Sequence, residues 1–237
     1  MKLPKIASPT EWLAARKALL AKEKEFSKAR DALAAARRDL PMTKIEKTYV
    51  FDGRDGKKSL ADLFAGRTQL AVYHFMFDPE WDAGCKSCSF VSDGWDGVIP
   101  HLAARNTAFA AISRAPLRKI VAFQKRMGWT FPWLSSAENS FNFDFNVSFV
   151  EGKKNGDLGG YNISEAKFTH GHEAPGFTVF LKDGDAIYRG YSTYARGLDT
   201  LIHTYNVLDL TPLGRQEEGL SYGMEWVRHH DAYDATT

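Results

Sequence analysis

The sequence predicts an α/β fold in which helices cover a mixed β-sheet. Through the middle of the chain, segments with the composition of strands alternate with segments of helical periodicity, and such alternation favours a parallel or mixed sheet. Later, the apolar runs 176–181 and 186–191 flank the turn Lys182-Asp183-Gly184-Asp185, a pattern typical of an antiparallel hairpin. We therefore expect both parallel and antiparallel strands in one sheet.

The composition is that of an ordinary globular protein. The chain has 237 residues, of which 44% are hydrophobic, and this is enough for a substantial core. Its 31 Lys and Arg are nearly balanced by 29 Asp and Glu, so no basic field points to nucleic acid or to an anionic membrane. Neither a signal-peptide apolar region nor a run of about 18 apolar residues occurs. We expect a cytoplasmic protein without nucleic-acid or membrane partners.

Residues 8–38 are predicted to form a long amphipathic helix. Ser8 can cap its start, Pro9 suits the first turn, and Pro41 ends it because proline disfavours helical geometry in the preceding residue. We assign residues 1–41 as an N-terminal helical extension. Its apolar residues are Trp12, Leu13, Leu19, Leu20, Phe26 and Leu33.

We assign residues 42–211 to the main domain and residues 212–237 to a C-terminal tail of little periodicity. The nearly continuous apolar run 69–77 predicts a central strand buried on both faces. Residues 135–174 are assigned as an insertion without regular structure. The remaining predicted elements are a strand at 49–51, a short helix at 59–64, a helix from the cysteines to about 104, a strand at 107–112, a helix at 115–126, a strand at 129–134, the hairpin, and a helix at 197–205.

The chain has only two cysteines, Cys85 and Cys88, separated by two residues. This number excludes a disulfide framework, and the spacing points to redox or metal chemistry. The pair lies between a buried strand and a predicted helix, as a redox motif should. Because a helix N-terminus stabilises a thiolate, Cys85 is the predicted nucleophile and Cys88, one turn deeper, the predicted resolving thiol.

Further motifs strengthen this interpretation. Pro175 stands just before the first strand of the late hairpin. The sequence resembles the DUF899 family, thioredoxin-like proteins often described as predicted dithiol-disulfide oxidoreductases, and the resemblance spans most of the chain. The motifs that carry it are Tyr73-His74-Phe75-Met76-Phe77, Gly84-Cys85-Lys86-Ser87-Cys88-Ser89, the stretch 172–176, Tyr191-Ser192-Thr193-Tyr194-Ala195-Arg196-Gly197, and residues 208–215.

The resemblance implies a thioredoxin-like three-layer α/β/α sandwich with a long N-terminal helix and an insertion before the hairpin. It implies that Cys85 and Cys88 are the redox pair and that Pro175 is a cis-proline that shapes substrate approach together with Ala174. Trp81, in the loop before the cysteines, is a further candidate wall of the site, with core packing as the alternative. Thioredoxins themselves carry Trp-Cys-Gly-Pro-Cys, so the different residues here leave the reduction potential and the partner open.

The residues favour a thiol-disulfide oxidoreductase that acts on protein or small-molecule thiols and disulfides. No cofactor is expected, since neither a P-loop nor a G-x-G-x-x-G fingerprint occurs. Two alternatives remain. Zinc could be held by Cys85 and Cys88 with His170 and His172, or the chain could be a non-catalytic binding or scaffold protein. A homo-oligomer could form through the N-terminal helix or through the aromatic residues of the insertion.

Overall fold

The structure is a computed structural model that describes residues 4–150, 155–156, 160–164 and 171–234. The chain divides into two compact units, Met1–Pro41 and Met42–Thr237. The first unit consists mainly of α1, Pro9–Arg38. Its start is a capping box, in which the Glu11 N–H donates to Ser8 Oγ and the Ser8 N–H donates to the Glu11 carboxylate. The long N-terminal helix is thus confirmed.

The described residues of the second unit form one sheet of eight strands. The strands lie in the order β1-β8-β7-β4-β5-β6-β2-β3. The β4 strand pairs in parallel with β5 and antiparallel with β7, and β5 pairs in parallel with β6. The predicted mixed sheet is therefore confirmed. Its strands are β1 Thr43–Lys44, β2 Val50–Gly53, β3 Gly56–Ser59, β4 Gln69–His74, β5 Thr107–Ser113, β6 Trp133–Ser135, β7 Gly176–Asp183 and β8 Ala186–Tyr194.

Helices and apolar side chains cover both faces of the sheet. The helices are α2 Lys86–Ser92, α3 Trp95–Ala104, α4 Leu117–Arg126, α5 Phe141–Asp144 and α6 His203–Leu208, with 3-10 turns at Asp62–Phe64, Tyr161–Ile163, Ala195–Leu201 and His230–Ala232. Residues of α2, α3, α4 and α6 share one core cluster with Tyr73 and Phe75. The 3-10 turn Asp62–Phe64 and α5 share another with Leu70 and Val72. The three layers and the hairpin beside the central strand make the domain thioredoxin-like.

Several boundaries differ from the prediction. The helix expected from the cysteines to residue 104 is divided into α2 and α3 around Asp93 and Gly94. The strand expected at 129–134 is reduced to β6, because the Trp129 N–H still donates to the Gln124 carbonyl at the end of α4. None of the described helices is both long and apolar enough to cross a membrane.

The cis peptide implied for Pro175 is wrong, since the Ala174–Pro175 peptide is trans. Even before proline the trans isomer is favoured by about 0.5–1 kcal/mol. The backbone on both sides is also engaged in this isomer: the Ala174 N–H donates to the Val147 carbonyl at 2.9 Å, and the Tyr161 hydroxyl donates to the Pro175 carbonyl at 2.9 Å. Both hydrogen bonds are made with the peptide in the trans form.

Candidate active site

The two thiols lie where the chain passes from the central strand into α2. Cys85 is the N-cap residue of α2 and is partly exposed, whereas Cys88, in the first turn, is buried. Both are free thiols. The backbone of Met76 contacts the two residues: the Cys85 N–H donates to its carbonyl at 3.1 Å, and its own N–H donates to Cys88 Sγ at 3.4 Å. The loop after β4 therefore fixes both cysteines.

The two thiols have different acidities. The hydrogen bond from the Cys88 thiol, aided by the backbone N–H groups of Cys88 and Ser87, outweighs burial and lowers the pKa of Cys85 to about 7. Burial, together with the hydrogen bond to Cys85 and its charge, raises the pKa of Cys88 well above its ordinary value. The pair therefore loses its first proton from Cys85, the more exposed of the two thiols.

Tyr73 adds a buried hydroxyl next to the pair. Its side chain is fully buried, and its hydroxyl lies beside Cys88, where the interaction lowers the pKa of that thiol against the effect of burial. The contact does not reach the geometry of a full hydrogen bond, and the hydroxyl has no other partner among the described residues. A sulfur that carries negative charge would give this hydroxyl the acceptor that it lacks. In the sequence it is hidden within an apolar run.

A cavity of about 390 Å³ opens beside Cys88. Its lining combines Tyr73, Met76, Ser87, Cys88, Val91, Pro175, Ala195, Arg196, Leu198, Asp199, Ile202, Tyr205, Arg215, Glu217, Gly223 and Met224. The charged groups of the lining are paired. Arg215 binds Asp209 through two nitrogens and lies 3.8 Å from the centre of the Tyr205 ring, and the Tyr205 hydroxyl donates to Glu217 at 2.5 Å. The rest of the cavity lining, which a ligand would contact, is largely apolar.

The C-terminal tail packs onto the cysteine helix. The Lys86 ammonium donates to the Glu225 carbonyl at 2.8 Å, and His229 Nε2 donates to the Gly84 carbonyl at 2.9 Å. Val227 is completely buried, and Arg126 binds Asp231 through two nitrogens. The tail, which the sequence predicts only as a segment of little periodicity, is thus part of the site. Two of its contacts with the cysteine segment are made to backbone carbonyls, which no sequence motif marks.

A family model described as "Bacterial protein of unknown function (DUF899)" matches residues 1–233. The chain belongs to the DUF899 family. The resemblance that the sequence motifs predicted is thereby confirmed. No curated protein matches this DUF899 chain.

Solved structures with a similar backbone have low sequence identity to this DUF899 protein. The peroxidoxin BcpB from Mycobacterium tuberculosis is 13% identical, with 71% of this chain and 97% of that chain covered and a TM-score of 0.46. A PrxQ mutant from Xylella fastidiosa is 12% identical, with 67% and 88% covered and a TM-score of 0.43. A hypothetical protein from Sinorhizobium meliloti is 15% identical, with 62% and 71% covered and a TM-score of 0.37.

The predicted substrate-binding residues occupy different places in the DUF899 domain. Pro175 lines the cavity together with Cys88. Ala174 is buried, outside that lining, with its N–H on Val147. Trp81 is partly buried against the core cluster of α2, α3, α4 and α6, and its carbonyl accepts a hydrogen bond from Lys119. The structure therefore brings Pro175 to the cavity and leaves Ala174 and Trp81 outside its lining.

The zinc alternative involves residues of which one is not described. His170 lies outside the described residues, and His172 is exposed. Within the described ranges, no three His, Cys, Asp or Glu side chains converge as metal ligands would. The described part of the site contains two thiols, one tyrosine hydroxyl and a cavity.

Proposed function

We propose that this DUF899 protein is a thiol-disulfide oxidoreductase in which Cys85 is the nucleophile and Cys88 the resolving thiol. The observation that carries the proposal is the difference between the two sulfurs. A partly exposed thiol with a lowered pKa precedes, by one helical turn, a buried thiol with a raised pKa. We further propose that it works in the cytoplasm, where dithiols persist in the reduced form.

The proposed reaction has two exchange steps. The Cys85 thiolate attacks one sulfur of a substrate disulfide; the substrate S–S bond breaks, and the departing thiolate takes up a proton. Cys88 then loses its proton and attacks the Cys85 sulfur of the mixed disulfide, which releases the second substrate thiol. The substrate has gained two electrons, and the protein holds a Cys85–Cys88 disulfide. An external dithiol returns the protein to its starting state.

Residues around the pair support each step. The backbone N–H groups at the start of α2 stabilise the Cys85 thiolate for the first attack. The Tyr73 hydroxyl stabilises the charge that forms on Cys88 before the second attack. The cavity, with Pro175, Leu198 and Met224 in its wall, would hold the apolar part of a small substrate. Partners of this chemistry are small-molecule or protein disulfides.

The experiment that tests the proposal replaces each sulfur separately. Cys85→Ser should abolish disulfide exchange, and Cys88→Ser should accumulate a mixed disulfide between Cys85 and the substrate, detected by mass spectrometry of the intact protein. Ser92→Ala is the matched control, because Ser92 lies buried in the same helix and its hydroxyl has no hydrogen-bond partner in the described part of the chain. This variant should exchange like the wild type.

A redox titration supplies the second readout. Alkylation of Cys85 and Cys88 in glutathione buffers should show one reversible two-electron transition. Turnover by the wild type without a trapped intermediate in Cys88→Ser would refute the assigned order of attack. Thiols that stay reduced across the titration, or that hold zinc, would refute the oxidoreductase itself and favour a binding or metal protein.

A further inference from the structure

The long helix α1 carries a regular apolar stripe. Trp12, Leu19, Phe26 and Leu33 follow one another at intervals of seven residues and are 61%, 51%, 68% and 52% exposed. None of the thirty residues of α1, all of them described, is buried. A straight helix has 3.6 residues per turn, so a strict seven-residue repeat stays on one seam only when helices supercoil around each other. The repeat therefore indicates a coiled coil.

The rest of α1 agrees with heptads that place these four residues at position a. Position d then holds Ala15, Lys22, Ala29 and Ala36, and position f holds Lys17, Lys24, Asp31 and Arg38. Small alanines allow close approach of two helices beside large a residues. The f positions face away from the seam, and the four from Lys17 onwards are all charged. Lys22 is the one charged d residue, and such a residue lowers the stability of a coiled coil while restricting its register.

The charges beside the seam indicate which helix pairs with α1 and in which direction it runs. Position g contains Glu11, Ala18, Glu25 and Ala32, and position e contains Arg16, Glu23, Arg30 and Arg37. In a parallel pair, each g residue meets the e residue that lies five positions later in the other helix. Glu11 then faces Arg16 of a second copy, and Glu25 faces Arg30. An antiparallel pair would instead oppose e residues to each other, and these are mostly arginines.

We propose that α1 pairs with α1 of a second copy of this chain in a parallel, in-register, two-stranded coiled coil. The seam is formed by Trp12, Leu19, Phe26 and Leu33. The pair Glu25–Arg30 is the suitable one for a test, because the Glu11 carboxylate already accepts the Ser8 N–H and Arg16 already binds Glu23 at 2.8 Å. Dimer formation through α1 requires nothing of the thiol chemistry, so the two proposals can fail independently.

The first experiment reverses single charges in the full-length protein. Sedimentation velocity should show a wild-type dimer, and Glu25→Arg or Arg30→Glu should each raise the dimer dissociation constant about tenfold through repulsion. An equimolar mixture of the two variants should restore the dimer as a heterodimer, because both g–e contacts become complementary again. Lys24→Glu, at an outward f position, is the matched control and should dimerise like the wild type.

The second experiment determines direction. In a Cys85→Ser/Cys88→Ser background, Ala15→Cys and Ala36→Cys should each give a covalent dimer on oxidation, whereas Ala14→Cys, at an outward position, should not. Circular dichroism verifies that each variant keeps its helix. A wild type that is monomeric at every concentration, a dimer indifferent to both charge reversals, or cross-linking only when Ala15→Cys and Ala36→Cys are mixed would each overturn the proposal.

Discussion

The central strand β4 presents a polar aromatic residue to each of its two faces, and the two faces use it differently. Tyr73 points into the helical layer, where its hydroxyl lies beside Cys88. His74 points the opposite way: its Nε2 is hydrogen-bonded to Thr178 Oγ1 at 2.9 Å, and its ring stacks against Phe141 and Phe145. Within the described ranges, each leaves one buried polar atom without a hydrogen-bond partner: the Tyr73 hydroxyl and His74 Nδ1.

The difference lies in what surrounds the unpaired atom. The Tyr73 hydroxyl has a sulfur and a cavity next to it, so a change of charge on the sulfur would satisfy it. His74 instead stacks against the rings of Phe141 and Phe145, and burial lowers its pKa to about 3. In the proposed function, the unpaired Tyr73 hydroxyl therefore serves the thiol chemistry, whereas the unpaired nitrogen of His74 belongs to the packing of the opposite face.

The largest expected effect comes from the opposite face. Phe141 is fully buried among Tyr49, Phe51 and His74, and Phe141→Ala should lower the free energy of unfolding by about 3–5 kcal/mol. The pKa of Cys85, followed by the pH dependence of its alkylation, should stay at its wild-type value. Phe141→Leu, which keeps most of the volume, should lose much less stability. A shift in the Cys85 pKa would show that the two faces are coupled.

The next effect depends on pH. His74 has a pKa of about 3 when folded against an ordinary value of 6.5. Below pH 6.5 the unfolded chain takes up a proton that the folded protein excludes, so the stability present above pH 6.5 is lost as the pH falls towards 3. His74→Gln removes this loss. The difference in unfolding free energy between wild type and variant should change in favour of the variant by about 2 kcal/mol from pH 6.5 to pH 5.

Urea unfolding at the two pH values checks this prediction. His74→Gln loses ring stacking at both, so only the change of the difference with pH reports on the proton. A difference that is equal at pH 6.5 and pH 5 would mean that His74 takes up its proton in the folded state as easily as in the unfolded state.

The smallest change in stability should accompany a clear change in chemistry. Tyr73→Phe removes a hydroxyl without a full hydrogen bond, so the free energy of unfolding should change by less than about 1 kcal/mol. The pKa of Cys88 should rise, because the interaction that lowers it is gone. The second exchange step then slows, and more mixed disulfide accumulates in acid-quenched single turnovers measured by mass spectrometry.

Tyr194→Phe is the matched control for this variant. The Tyr194 hydroxyl is buried too, but it donates to the Phe145 carbonyl at 3.0 Å. Its removal leaves that carbonyl unpaired and should cost about 1–3 kcal/mol of stability without slowing exchange. Equal effects of the two variants on exchange would contradict a special role for Tyr73.

The elements around the thiols could be predicted from the sequence because each has a strong local signal. Each of these signals spans only a few residues. The apolar run of β4 predicts the central strand, and the turn at Gly184 predicts the hairpin. The two-residue gap between Cys85 and Cys88 predicts the redox pair. Helix α5 lacks such a signal. Its phenylalanines alternate with polar residues as in a strand, and only the sheet face above which they lie makes a short helix favourable.

The surroundings of the thiols could not be predicted to the same extent. Tyr73 and Pro175 come together at the cavity although they are far apart in the chain. The partner of His229 is the Gly84 carbonyl, and every residue has a carbonyl. The cis form of Pro175 was implied by likeness to other proteins, whereas the peptide found here is trans.

The tail that packs onto α2 also ties the site to the order of protein synthesis. Lys86 and Gly84 find their partners 139 and 145 residues later in the chain, at Glu225 and His229. During translation the ribosome therefore releases the cysteines long before the segment that packs beside them. On the nascent chain the tail contacts beside the cysteines are absent, so the pair is more accessible to oxidants and thiols than in the folded protein. Contacts of such long sequence separation also form late in folding.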